Sequence, residues 1–342
     1  MKDLKNPPTL NIKLENLSEL KNSKVLLGFS HGIDSTALFH LLRESRVEFA
    51  CALINYKTRA QSDDEQSAAR VLCQKYGAPF FSKVVRINSG NFESKARDER
   101  YSFFYELCKA QGFDTLVLAH QLNDLFEWFL MRMAKGAGLV NALGFSPWQK
   151  RQIAPDFNIF ISRPLIYTSR DEILEYLHSN NYEYFIDSSN LDEKYSRNYI
   201  RHNYSDSFVR DNFKGLVASF KAMERDKDVL LGKFIYQKDG LFVLRRSASE
   251  FNLIDKACKC LGVVISAKTR DEISREDALV VSHKIAIAKN DDFVYICPFL
   301  KLSMPKDFKD RCRLLKIPAL IRPYLHTRIE LLDEIVGINN TD

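Results

Sequence analysis

The sequence predicts an α/β fold: a doubly wound, mostly parallel sheet with helices on both faces, followed by a smaller mixed α+β region. Three observations carry this expectation. Short β-branched and aromatic runs alternate with helically periodic segments up to about residue 206. The first run, VLLGF at 25–29, passes into its helix through a knot of small and polar residues at 30–35. Past residue 206 the alternation gives way to charged helical sequence and then to short apolar runs.

In chain order, strands are expected at 25–29 (VLLGF), 49–56 (FACALINY), 80–87 (FFSKVVRI), 114–120 (DTLVLAH) and 160–166 (FISRPLI). Helices are expected at 35–45, 63–76, 93–111, 124–134 and 169–180. This spacing implies right-handed crossovers and a parallel sheet. Such sheets bind ligands at the carboxyl ends of their strands. The turn at 30–35 and the end of DTLVLAH are both such ends. Residues 207–234 read as one or two charged helices, and LFVLRRS, VVISAK, IAIAKN and DFVYICPF as later strands. The expected domains are 1–206 and 207–342, with a sub-boundary near 295.

The chain has 342 residues, 45% hydrophobic and 27% charged, an ordinary balance for a globular protein. No apolar stretch approaches the roughly 20 residues that span a bilayer, so no membrane is expected. MKDLKNPPTLNIKLENL lacks the apolar core of a secretory signal. The seven cysteines are scattered and include no CxxC. That argues against a disulfide scaffold or paired-cysteine zinc site and points to a reducing cytoplasm. The formal net charge of +6 suits a polyanionic partner without requiring one.

The turn at 30–35 contains Ser30, His31, Gly32, Ile33, Asp34 and Ser35. Walker A (GxxxxGK[ST]) is absent, and the glycines do not make GxGxxG. Small residues and hydroxyls here suit close backbone approach to a phosphate, or simply a capped strand-to-helix turn. If the second position needs φ > 0, His31 costs roughly 1 kcal/mol there.

In INYKTRAQSDDE, Ser62 and Glu65 read as a capping box behind Asn55 and Arg59. In ESKARDERYSFF, Glu93 and Arg97 are spaced for an ion pair, while Arg97 and Arg100 share a helix face. In AHQLNDLFEWF, Asp124 and Glu127 sit at i and i+3 behind His120. Both carboxylates therefore lie on one helix face near its start, where they suit an ammonium, a magnesium ion or the helix dipole. SRPLIYTSRDEI holds Arg163. In SRNYIRH, Arg197 and Arg201 are one helical turn apart beside Asn198 and His202, either a solvated basic stripe or a phosphate grip.

Taken in this order, the motifs resemble those of the PP-loop ATP pyrophosphatases, and within that superfamily the tRNA(Ile)-lysidine synthetase family. The loop resembles S-G-G-x-D-S, with His31 at the second position. The later segments resemble V-N-H-G-L-R with S-D-E-E, E-x-x-A-R-x-x-R-Y, A-H-H-x-D-D-Q-x-E-T with R-G-x-G-L, R-P-L with R-x-E-I, and D-x-S-N with [ST]-R-N-x-I-R-H. Gln121, Asn123, Leu125 and Trp128 depart from the fourth pattern. The likeness covers about residues 22–206, and RCRLLKIPALIRPYL resembles the family's basic tail.

The resemblance implies a PP-loop ATPase fold and ATP-dependent ligation of free L-lysine to C2 of the wobble cytidine of an isoleucine tRNA with a CAU anticodon, through an adenylated intermediate. It implies that Ser30, His31, Gly32, Ile33, Asp34, Ser35, Asn55 and Arg59 hold ATP, with Asp34 on magnesium. Asp34, Arg97, His120, Asp124 and Glu127 are the expected catalytic set. In it Asp124 and Glu127 position lysine and His120 takes the proton. Arg100, Arg163, Arg197, Asn198, Arg201 and His202 are the expected tRNA contacts, supported by a tRNA-binding second domain. A homodimer is the oligomer considered. Two other readings stay open: a PP-loop tRNA thiolation ligase, which the lack of CxxC disfavours, and an inactive tRNA-binding relative.

Overall fold

The computed structural model of the protein describes residues 12–58, 61–87, 92–154, 157–186 and 196–339. It divides into two compact units, Met1–Glu224 and Arg225–Asp342. The division lies within a long helix rather than at 206, because the first half of that helix buries Val209 and Phe220 in the first unit.

The first unit contains β1 (Val25–Gly28), β2 (Phe49–Asn55), β3 (Phe80–Val84), β4 (Thr115–Val117), β5 (Trp148–Ala154) and β6 (Phe157–Ser162). Their order is β3-β2-β1-β4-β6-β5. All neighbours are parallel except the β5–β6 edge hairpin. The helices are α1 (Leu17–Lys21), α2 (Ile33–Glu44), α3 (Ser62–Lys75), α4 (Phe92–Gln111), α5 (Leu122–Met133), α6 (Leu139–Ala142), α7 (Arg170–Ser179) and α8 (Ser196–Ile200). After a π-helical turn at Arg201–Ser205 comes α9 (Asp206–Leu231).

Side chains in the strands alternate between two cores, as a sheet covered on both faces requires. Val25, Leu27, Cys51, Leu53 and Val117 face a core shared with α2 and α7. Leu26, Ala50, Ala52 and Leu116 face one shared with α4. Helix α2 is buried along Ser35–Leu42, which is why its sequence is apolar almost all round.

The second unit holds β7 (Tyr236–Lys238), β8 (Leu241–Arg245), β9 (Ala278–Val281), β10 (Ile285–Lys289) and β11 (Phe293–Pro298), with α10 (Glu250–Cys260), α11 (Ala267–Arg275), α12 (Lys306–Leu314), α13 (Arg322–His326) and α14 (Ile329–Asn339). Its sheet, β7-β8-β11-β10-β9, is antiparallel throughout. Both faces are again buried: Leu241, Val243 and Tyr295 toward Ile321 and Leu331, and Phe242, Leu244 and Ile296 toward Ile254 and Cys258. VVISAK, expected as a strand, is instead an extended lead into α11, where Ser266 accepts a hydrogen bond from the Thr269 amide as N-cap.

One buried histidine gives the first unit an acid-sensitive core. His40 is 2% exposed. Its ring stacks on Tyr182 at 3.5 Å, and Nδ1 has no partner. Burial, reinforced by Arg43, His31 and Lys75, pushes its pKa down to about 4. Between pH 6.5 and 4 the unfolded chain takes a proton that the folded chain refuses, so this contribution to stability is lost as pH falls. His40→Phe keeps an aromatic ring against Tyr182. The stability of H40F relative to wild type, read from urea midpoints, is expected to rise by roughly 2–3 kcal/mol across that window.

Candidate active site

The sheet winds one way from β1 to β2 and β3, and the other way to β4 and β6. A cleft is expected where the winding reverses, at the carboxyl ends of β1 and β4. The structure has one there of about 450 Å³. Ser30, Gly32, Ile33, Asp34, Ser35, Asn55, Arg100, His120, Arg170 and Arg201 are among its lining residues.

The loop after β1 is built for backbone exposure. His31 has φ 59°, so the position does lie in the left-handed region where glycine is favoured. Its ring packs between Phe29 and Phe185, at 5.6 and 5.2 Å, and its carbonyl accepts from the Phe185 amide at 2.9 Å. These contacts offset the strain, and the imidazole is 5% exposed with its pKa lowered by burial. The Ser30 and Ser35 hydroxyls lie 3.0 Å apart, and Ser35 Oγ also receives the Ser30 amide at 3.2 Å. The loop closes onto the first turn of α2, where free N–H groups and the helix dipole attract anions.

Asp34 sits in that first turn. Its Oδ1 is buried without a partner. Burial first, and then the nearby Asp124 charge, push its pKa up to about 7 against the opposing pull of Arg170 and Arg201. A carboxylate oxygen in this state lacks a cation, and a hard oxygen donor suits magnesium.

Asp124 and Glu127 share one face of α5 as expected, but they meet Arg197 and Arg201. Arg197 Nε donates to Glu127 at 2.8 Å, and its Nη2 to Asp124. Arg201 Nε donates to Glu127 at 2.7 Å, and its Nη2 reaches Glu127 at 3.2 Å and Asp124 at 3.4 Å. The expectation of an open acid pair and a separate phosphate-gripping stripe is therefore corrected: the four charges neutralise one another. Burial alone would raise the Asp124 pKa, but Arg197, His120 and Arg201 hold it below the usual carboxylate range.

Other expected residues divide. His120 lines the cleft, stacked on Phe145 at 4.8 Å, with Nδ1 unpartnered. Burial pushes its pKa down to about 3, which makes it a far weaker base than the expected proton acceptor. Arg100 lines the cleft with Nε 3.3 Å from the Tyr56 hydroxyl. Arg97 does not line it; it is exposed and stacked over Tyr101 at 5.0 Å, although its charge is felt by His120. Arg163 is 4% exposed, donates to the Ser146 carbonyl at 3.0 Å and covers Phe145. It is thus too buried for the expected tRNA phosphate contact.

Asn55 lines the cleft, but its amide nitrogen holds the following turn through Ser62, Asp63 and Gln66. Asn198 is half-buried and His202 exposed on the helix that carries the two arginines. Arg59 lies outside the described residues, as do Asp187, Ser189 and Asn190. Arg170, at the start of α7, is a cleft cation that the sequence reading left out of the site. Its signal was the R-x-E-I match, in which Arg170 is the arginine, and the Ser169–Glu172 capping box places it.

The departures in α5 have local reasons. Gln121 caps the helix: its Oε1 accepts from the Asn123 amide at 2.7 Å, and Asp124 accepts from the Gln121 amide at 3.1 Å. Asn123 donates to Asp206 at 2.9 Å and accepts from the Arg170 amide at 3.3 Å. An amide can do both, whereas a carboxylate would face that of Asp206. The Trp128 ring fits because residue 144 is glycine; a Cβ there would lie 1.9 Å from Trp128 Nε1. Gly144→Ala is expected to cost about 1–3 kcal/mol by overpacking, seen as a lower Tm.

The reversal-point cleft, the left-handed loop and the unpartnered acid together define an ATP-binding enzyme of the PP-loop class. Consistently, residues 7–207 match the family described as a PP-loop domain. The chain is 42% identical to a tRNA(Ile)-lysidine synthase of Campylobacter jejuni, over 93% of this chain and 97% of that one. It is 37% identical to one from Wolinella succinogenes, over 92% and 96%, and 37% to one from Helicobacter pylori strain J99, over 91% of each. Its fold resembles that of the U34-tRNA thiolase NcsA from Methanococcus maripaludis, with a TM-score of 0.50, 21% identity and coverage of 64% of this chain and 77% of that one. The chain belongs to the tRNA(Ile)-lysidine synthase family.

Proposed function

We propose that the chain joins the ε-amine of free lysine to C2 of the wobble cytidine in an isoleucine tRNA with a CAU anticodon, converting ATP to AMP and pyrophosphate. The observation that carries this reading is a single cleft. It is lined by an anion-binding loop and an acid lacking a cation, and by Arg201, whose guanidinium reaches the Asp124 and Glu127 carboxylates behind the lining.

The cytidine O2 attacks the α-phosphorus of ATP, and the bond to pyrophosphate breaks. Lysine gives its ammonium proton to water, the freed amine attacks C2, the C2–O bond breaks so that AMP departs with the oxygen, and the surplus proton on the nitrogen also passes to water. Adenylation turns a poor leaving group into a good one. The Ser30–Ser35 loop receives the phosphates through its amides and hydroxyls, and Arg170 and Arg100 add positive charge where pyrophosphate develops. Asp34 would hold a magnesium ion that neutralises departing pyrophosphate.

Phosphates arriving in the cleft offer Arg197 and Arg201 stronger bidentate partners. Their turning outward leaves Asp124 and Glu127 to take the lysine ammonium. His120, neutral throughout, accepts a hydrogen bond from the amine rather than its proton. The target base lies in a single-stranded loop, so it enters the cleft without melting a duplex. The unit at 225–342 is assigned to grip tRNA phosphates, and the protein to the cytoplasm; no helix among the described residues is long and apolar enough to cross a membrane.

Sulfur transfer is the weaker reading. None of the seven cysteines is among the residues lining the cleft, and burial pushes the thiols of Cys108, Cys258 and Cys297 up to about 12. Incubation with ATP, labelled lysine and an isoleucine-tRNA transcript tests the proposal. Label on the RNA with one AMP per lysine supports it. Absence of label, or RNA modification only when a sulfur donor is supplied, refutes it.

A further inference from the structure

We infer that Tyr199 and Tyr204 form a stacking platform for unpaired bases of the anticodon loop, a surface that rests on the tRNA reading above. A local break in helical geometry brings the two rings together. In an α-helix, residues five apart are turned by about 500°, which leaves their side chains on different faces. The π turn at Arg201–Ser205 follows i→i+5 bonding, so residues five apart return to one face. Tyr199 and Tyr204 are five apart, and their ring centroids lie 6.0 Å apart at an interplanar angle of 66°.

Both rings are large and yet 47% and 52% exposed. Core packing therefore does not explain them. Phe208, one helical turn beyond Tyr204 and 48% exposed, extends the strip while stacking on Phe126 at 5.2 Å. The same short segment sends Arg197 and Arg201 to Asp124 and Glu127, and Arg201 lines the ATP cleft. One turn of chain thus has an inward face at the reaction site and an outward face of aromatic rings, with exposed His202 between them. An RNA loop delivering one base into the cleft must park its neighbours close by. Aromatic faces beside guanidinium groups bind unpaired bases irrespective of sequence.

The test compares Tyr199→Ala/Tyr204→Ala with Tyr199→Phe/Tyr204→Phe in the full chain. Binding is measured to a labelled anticodon stem-loop RNA, and separately to ATP, with circular dichroism as a check on folding. The alanine pair is expected to raise the RNA Kd at least about tenfold and leave the ATP Kd unaltered. The phenylalanine pair is expected to bind RNA like wild type, because stacking does not need the hydroxyl. Wild-type RNA affinity in the folded alanine pair, while wild type still transfers labelled lysine, overturns the platform alone. Equal losses in both pairs also overturn it, since they assign the binding to hydroxyl contacts. A wild-type protein that neither binds the RNA nor labels it overturns the platform together with the reading beneath it.

Discussion

Asp34→Asn is expected to lower lysine-dependent AMP release by about 10²–10³ while making the ligand-free protein more stable. The two effects share one cause. Burial and the Asp124 charge raise the Asp34 pKa to about 7, so its ionised form is costly in the empty cleft. The sign follows from linkage: a carboxyl with a raised folded pKa loses stability as pH climbs from its unfolded value near 4 through 7. Asparagine has no proton to lose and keeps the shape. The variant should therefore gain a few kcal/mol over wild type above pH 7, with little difference near pH 4. This trend runs opposite to that of His40, so each is read as a difference from wild type. A Tm that rises at pH 8 alongside collapsed turnover is the signature. Unaltered turnover would remove Asp34 from the chemistry.

The second large effect falls on lysine. Asp124→Asn is expected to raise the lysine KM by one to two orders of magnitude and leave ATP binding intact. In the wild type, two carboxylates balance two guanidiniums. Once Arg197 and Arg201 are displaced, the substitution leaves the ammonium one carboxylate charge to settle against instead of two. At about 4 Å and an effective dielectric constant near 20, one such charge is worth about 4 kcal/mol, so tenfold is a modest demand. ATP binding should not suffer, because losing the Asp124 charge eases the ionisation of Asp34. Substrate-saturation curves at fixed ATP separate the outcomes, and an unchanged lysine KM would reject the role.

Much of the first unit was legible because its signals are local. A buried parallel strand reads as an apolar run, and VLLGF, FACALINY and DTLVLAH do. The loop at 30–35 was legible because left-handed turns and exposed amides call for small residues; His31 stood out for the same reason and does adopt φ > 0. Strand β5 was missed because WQKRQIA lies at an edge, where one side faces water and charged residues are tolerated. VVISAK was misread because an apolar run leading into a capped helix looks like a strand until the cap is seen.

The site was less legible than the fold. Spacing put Asp124 with Glu127 and Arg197 with Arg201, but the closure of one pair upon the other joins segments about 70 residues apart, which no local period encodes. Arg163 was expected as a tRNA contact because SRPL resembles the family's R-P-L motif, and a motif match does not say which way the side chain is buried. Only the Phe145 ring and the Ser146 carbonyl make it an interior brace.

The central claim is that one cleft holds ATP on the loop after β1 and lysine on the acids of α5. A crystal structure with a non-hydrolysable ATP analogue, magnesium and lysine measures it most directly. The account predicts the triphosphate along Ser30–Ser35, the metal on Asp34, and the lysine ammonium against Asp124 and Glu127 with Arg197 and Arg201 displaced. Nucleotide bound elsewhere, or lysine bound while both arginines still hold the acids, would contradict it.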